Sequence, residues 1–318
     1  MSNKELYSQF CATKMDIPVF FQPWWLDIVT HEGSWKVLID TTENGQVRGV
    51  LPLFQKTKFG LSYGSMPPLT PYLGIYINYP DNIEKEERKR AFEEKVVNNL
   101  VDQLGSQNYF NQNFHRGFES WLPMHWKGFR NTTKLTNVFE DLSDLEMIRS
   151  GFKDSLRNKL NKSSNLLVIE DTDDIALFHS INKKTFERQG MSIPYSLDFL
   201  KKLDKELAQR DQRKIFLAKD SEGQYHAGAF IIIDQKYHYL IGLGADTKLR
   251  KSGAIPFVIW HAIQDTAKNK KAFDFEGSTI PAVAGIFRNF GAKQVPYYNI
   301  YKSKNKFTDA LLTMAGKF

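Results

Sequence analysis

Apolar and polar positions along this chain alternate between two periods. Residues 35–40 (WKVLID) and 46–55 (QVRGVLPLFQ) carry apolar side chains on the two-residue repeat of strands, and 41–45 (TTENG) joins them as a hairpin turn. Phe92, Val96 and Leu100, with Val97, Val101 and Leu104, recur at helical spacing and predict a helix over 84–104, ended by Gly105. A short helix is expected over 22–30, and strands over 72–77, 109–114 and 131–139. Ser143 and Glu146 read as a capping box that opens a helix with Ile148, Phe152, Leu156 and Leu160 on its apolar face. Helices follow over 175–189, closed by Gly190, and over 197–209, capped by Ser196.

The second half replays the order of the first. Strands over 213–219 and 224–234 flank a DSEG turn at 220–223, and a strand over 237–242 precedes a helix over 255–269. A strand over 272–275, a short helix over 281–289 and a strand over 295–301 complete it. Individual residues agree as well, since NGQVR in the first half lies over EGQYH in the second. The pattern predicts an α/β chain (α+β mixed sheet) of two tandem units, 1–142 and 143–318.

Composition narrows the classes. No run of about 20 apolar residues suggests a membrane span, and the first residues lack the apolar core of a secretory signal, so a cytoplasmic protein is expected. The single Cys11 excludes an internal disulfide and the zinc motifs built on paired cysteines, and the seven histidines show no ligand spacing, so no metal is expected. A net charge of +7 favours anionic partners. Neither a G-x-S-x-G elbow nor a Walker loop is present.

The order hairpin, strand, helix, strand, short helix, strand resembles the GNAT acyltransferase fold, and two such units in one chain resemble the FemAB group of peptidyltransferase-like relatives. Short motifs carry the resemblance: Arg157-Asn158-Lys159, TFERQG at 185–190, FDFEGS at 273–278 and FGA at 290–292, with Met66-Pro67-Pro68 and Tyr72-Leu73-Gly74 in the opening half. It implies an N-acyltransferase whose donor is acyl-CoA or aminoacyl-tRNA and whose amine acceptor is a small molecule or an envelope precursor. Nothing here is long enough to be the helical arm that many tRNA-using members insert. Substrate contacts are implied at Tyr72, Arg157, Lys159, Ser278 and Phe290.

The GNAT resemblance also implies that a donor pyrophosphate meets the helix beginning near residue 255, where free backbone N–H groups and the helix dipole attract anions. The preceding Arg250, Lys251, Ser252, Gly253 and Ala254 supply two cations, a hydroxyl and a glycine, although Ile255 stands where the family pattern has Gly or Ala. The equivalent place in the first half, Asp81-Asn82-Ile83-Glu84, is acidic, so the donor is expected in the second unit and a structural or acceptor-shaping role in the first.

Strand periodicity sends Phe273 and Phe275 to one face and Asp274 and Glu276 to the other. Acyl transfer to an amine needs a base, because an ammonium has no lone pair. Asp274 or Glu276 is the candidate, with the other orienting substrate, and Tyr297 or Tyr298 is the candidate acid for the leaving group. Lys153, Arg157, Lys159 and Lys162 make one side of their helix basic. Two competing readings are a non-catalytic protein of the same double fold and a basic RNA-binding protein.

Overall fold

The computed structural model describes residues 1–14, 16–58, 61–105, 108–277 and 280–304. The chain forms two compact units, Met1–Lys134 joined by the stretch from Pro296, and Leu135–Val295. Both crossings fall inside strands, where no linker composition marks them.

The first unit opens with α1 (Asn3–Thr13) and α2 (Pro23–Val29), followed by β1 (Ser34–Thr41), β2 (Val47–Lys58), β3 (Leu61–Ser65) and β4 (Tyr76–Ile77). Then come α3 (Glu86–Leu104), β5 (Tyr109–Asn113), α4 (Leu122–Trp126) and β6 (Arg130–Phe139), the strand that leads into the second unit. There the order is α5 (Leu145–Ser150), α6 (Asp154–Leu166), β7 (Val168–Asp171), α7 (Ile175–Arg188), α8 (Leu197–Gln209), β8 (Arg213–Lys219), β9 (Tyr225–Ile233) and β10 (Tyr237–Ala245). After α9 (Ala254–Lys268), β11 (Ala272–Asp274) and α10 (Pro281–Arg288), β12 (Lys293–Ser303) returns the chain to the first unit.

In the first unit the strand order is β1-β2-β3-β5-β12, with β4 on β2. The apolar stripe of α3 (Val96, Val97, Leu100, Val101, Leu104) packs with Leu38, Leu51 and Leu53 of the sheet. In the second unit the order is β6-β11-β10-β9-β8-β7. Its core joins Val258, Ile259, Ala262 and Ile263 of α9 to Phe216, Ala227, Ala229 and Leu240. Burying such aliphatic side chains stabilises each unit by roughly 1.5–3 kcal/mol per residue.

The two hairpins contain the same turn. Gly45 and Gly223 have φ of 79° and 80°, a left-handed conformation that favours glycine. Thr42 N–H donates to Gln46 O at 2.8 Å, and Asp220 N–H donates to Gln224 O at 3.1 Å. The side chains repeat the pattern, because Gln46 N–H donates to Thr42 Oγ1 and Gln224 N–H donates to Asp220 Oδ1.

Three expectations are corrected. The N-cap of α5 is Asp144, whose carboxylate accepts from Met147 N–H, and not Ser143. Its face does not run unbroken through Ile148 and Leu160, because the chain turns at 151–153 and restarts as α6. Of 72–77 only Tyr76–Ile77 is a strand, with Leu73 in an isolated bridge to Phe114. α1, β3, α4 and β7 were not anticipated; α1 buries only Tyr7, Phe10 and Cys11, too sparse a stripe to stand out.

Two histidines, half-buried His115 and buried His238, make stability pH-dependent. His115 donates Nε2–H to Ile75 O, and His238 lies against Thr266, whose hydroxyl donates to Ala262 O. Burial holds both imidazoles at about 4, below the ordinary 6.5. The unfolded chain therefore takes up these protons more readily. Stability is full above pH 6.5 and falls as pH drops from 6.5 towards 4, by up to about 3 kcal/mol per histidine. Urea unfolding at several pH values checks this: the midpoint is expected to fall across that window, and a constant midpoint contradicts it.

Candidate functional site

The second unit's sheet opens between β10 and β11. β10 and β11 pair in parallel through Tyr237–Ala272, His238–Phe273 and Tyr239–Asp274 only. β10 continues to Ala245, paired with β9 on its other side, and a register shift between Leu240 and Gly242 bends it. β11 ends at Asp274, and Phe275 N–H turns to Asn137 O, next to β6. The two strands thus part at their C-terminal ends, the usual place for ligands in sheets with parallel strands.

At the parting point Asp274 is fully buried. Its Oδ1 accepts from Thr136 Oγ1 at 2.5 Å and from Glu276 N–H at 2.9 Å, while Gly277 N–H donates to Thr136 Oγ1 at 2.9 Å. Beside Asp274 on β10, Tyr239 donates its hydroxyl to Asp234. Burial first, and then the carboxylates of Asp234, Asp274 and Glu276, holds that phenol far above its ordinary range. Glu276 lies past the strand end, half-buried, with φ 57°. That left-handed conformation is strained in a residue with a Cβ and persists only where surrounding bonds impose it. The bonds of Asp274 and Thr136 do so. Phe273 and Phe275 turn to the other face, their rings 5.0 Å apart in the core.

α9 begins where the chain leaves β10. Arg250 and Lys251 are exposed in a 3-10 turn, Ser252 is half-buried, and Gly253 starts the helix with φ 75° and no side-chain cap. A Cβ on Gly253 would meet Ser163 Oγ at 2.5 Å and Lys159 Cγ at 2.6 Å, so glycine is required by space as well as by conformation. Ser163 Oγ on α6 lies within hydrogen-bonding distance of Ser252 O at 2.7 Å, holding α6 to this turn. The N–H groups of Ala254 and Ile255 have no partner within the helix, whereas Pro256 has no N–H to offer. The turn therefore suits an anion with two backbone donors, the Lys159 stem and two cations nearby, one donor fewer than a full first turn.

The remaining candidates divide. Arg157 is committed to its own helix start, with Nη1 on Ser150 O and Phe152 O and Nη2 on Asp154. Phe290, 1% exposed, packs on Phe152 and Phe275 as a core residue. Ser278 lies outside the described residues. Tyr72 and Tyr297 come together in the first unit, rings 5.7 Å apart and edge to face. Thr136, Ser163 and His226 were missed. Only His226 had a signal, its place over Arg48 in the repeated turn.

The first unit has its own cavity, of about 190 Å³, lined by Asp16, Tyr76, Tyr79, Glu93, His115 and Glu119, among others. Tyr76 donates to Asp16 and Tyr79 to Glu93. Burial, and then those carboxylates, holds both phenols well above their ordinary range. Among the described residues no group of side chains could hold a metal ion, and no helix is long and apolar enough to cross a membrane.

Residues 150–279 match the acetyltransferase (GNAT) domain family. No curated protein matches the sequence. The crystal structure of FemX is similar over 99% of this chain and 98% of that one, at 12% identity and a TM-score of 0.68. The C-terminal domain of a putative lysylphosphatidylglycerol synthetase from Agrobacterium fabrum is similar over 98% and 95%, at 12% identity and 0.58. L-PGS from Bacillus licheniformis is similar over 92% of both chains, at 13% identity and 0.52. At these identities the likeness is one of fold, a mixed α/β architecture, with the GNAT match confined to residues 150–279.

Proposed function

We propose that this chain, an acyltransferase of the GNAT fold with FemAB-like tandem units, passes an acyl or aminoacyl group from acyl-CoA or aminoacyl-tRNA to an amine by direct attack. The observation that carries the reading is Glu276, set in a strained conformation where β10 and β11 part, with Asp274 and Thr136 holding it there. Glu276 takes a proton from the acceptor ammonium, and the freed lone pair attacks the donor carbonyl. The tetrahedral adduct then expels the donor's thiolate or ribose oxygen, which takes up the proton that the adduct's nitrogen gives up, leaving an amide and a free thiol or hydroxyl. Asp274 is the positioning residue for Glu276. Arg250, Lys251 and the N–H groups of Ala254 and Ile255 bind the donor's phosphates, with Gly253 and Ser252 shaping the turn.

The first unit is proposed to bind the acceptor. Its cavity is walled by tyrosines and carboxylates, which suit an ammonium or amino sugar, and Tyr72 and Tyr297 belong to the same unit. The envelope-related names of the similar structures make an envelope precursor a candidate acceptor, and the cytoplasm, where both donors are made, the proposed location. A non-catalytic protein of the same fold is the second reading, and Pro256 favours it, because the phosphate turn lacks that N–H. Mass spectrometry of amino sugars, diamines and lysine-bearing peptides incubated with protein and either acyl-CoA or charged tRNA tests the proposal. A product heavier by the acyl group supports it. Absence of product from every pair supports the non-catalytic reading.

A further inference from the structure

The donor turn is tied to a histidine. His226 on β9 is 7% exposed, its Nδ1 is 2.9 Å from Ser252 Oγ, and its Nε2 is 2.9 Å from Asp220 Oδ2. Ser252 Oγ is also 2.8 Å from Leu249 O, which can only accept, so the serine hydrogen points to that carbonyl. Nδ1 must then carry a hydrogen to bond Ser252. The Asp220 carboxylate can only accept as well, so the Nε2 contact also calls for a hydrogen on the ring. An arrangement in which both nitrogens donate belongs to the imidazolium, whereas a neutral ring needs the Ser252 hydroxyl to donate to Nδ1. If the imidazolium loses a proton, the serine hydroxyl must swing to Nδ1 and release Leu249 O.

The repeated turn supplies a comparison. His226 stands where the first unit has Arg48, a permanent cation whose guanidinium pairs with Asp40 in two bonds of 2.8 and 2.7 Å. The charged groups on the elements around His226 include Asp220 on the turn, Lys219 on β8 with its partner Glu170 on β7, Asp246 and its partner Lys184, Arg250 and Lys251 on the donor turn, and Lys159 on α6.

We infer that His226 is a positioning residue for the donor turn, a proton-dependent cation that fixes Ser252 and strengthens the site for an anionic phosphate donor. The inference rests on the donor assignment above. Binding of a dianion beside the ring favours the imidazolium, so donor binding takes up a proton and donor affinity falls as the ring deprotonates.

The probe is dephospho-CoA, whose pyrophosphate oxygens stay ionised across the range, so that proton uptake reports on the protein. Calorimetry in two buffers of different ionisation enthalpy is expected to show uptake of a fraction of a proton. Affinity is expected to fall about tenfold from about pH 6 to about pH 8. His226→Gln loses both the uptake and the pH dependence. His226→Arg, which restores the charge of the repeated turn, regains affinity without pH dependence. Binding with no proton uptake and equal affinity in His226→Gln overturns the inference and leaves the donor assignment standing. No binding of dephospho-CoA or CoA to the wild-type protein at any pH overturns this inference together with the acyl-CoA form of the donor assignment.

Discussion

Glu276→Gln is expected to lower kcat for amide formation by about 10²–10⁴-fold, the range that loss of a general base produces, while donor affinity and the unfolding midpoint stay unchanged. The amide fits the same space and keeps the backbone bond from Glu276 N–H to Asp274, so the strained loop survives. What it loses is the ability to take the acceptor's proton. Raising the pH far enough to deprotonate the amine in solution is expected to restore part of the rate, which a merely structural role for Glu276 does not predict. Equal kcat in both proteins across the pH range refutes Glu276 as the base.

Asp274→Ala is expected to be the most destabilising single change in the second unit's site, by about 2–4 kcal/mol. Asp274 is fully buried, and its Oδ1 alone receives the Thr136 hydroxyl and Glu276 N–H. Removing the carboxylate leaves both donors without their acceptor in a dry site, and Glu276 loses what holds its left-handed conformation. Activity is expected to vanish with the fold of this loop. Asp274→Asn keeps one acceptor oxygen and separates the effects: near-normal stability with a lower kcat marks Asp274 as positioning Glu276. Denaturant unfolding of both variants reads this out, and an Asp274→Ala midpoint equal to wild type contradicts the account.

Much of the architecture was legible because it rests on local chemistry that the sequence carries openly. The turn at Gly45 and its copy at Gly223 need the same left-handed glycine and the same side-chain acceptor, so NGQ and EGQ announce one conformation twice. The α3 and α9 stripes are long enough for their period to be unmistakable. The surroundings of the candidate site were legible, and their geometry was not. Period two placed Asp274 and Glu276 on one face, but β11 stops at Asp274, and the following turn is set by Thr136, far away in sequence.

Short motifs also mix function with packing. Phe290-Gly291 is built into the core: Phe290 is buried, and a Cβ on Gly291 would come within 3.0 Å of Gly151 O. Arg157, a cation on a basic helix face, is instead occupied by carbonyls at the start of that helix, which no periodicity reveals. Pro256 was visible as a letter, but its meaning depends on knowing that α9 starts at Ala254, which makes it a first-turn residue with no N–H for a phosphate.

Calorimetric titration of the purified protein with CoA and short acyl-CoAs, beside a filter assay with charged and uncharged tRNA, tests the central claim most directly. The wild-type protein is expected to bind one of these donors, and Arg250→Glu with Lys251→Glu is expected to weaken that binding about 100-fold without moving the unfolding midpoint, since both side chains are exposed. Equal binding by wild type and double variant, or no donor bound by either, contradicts the account.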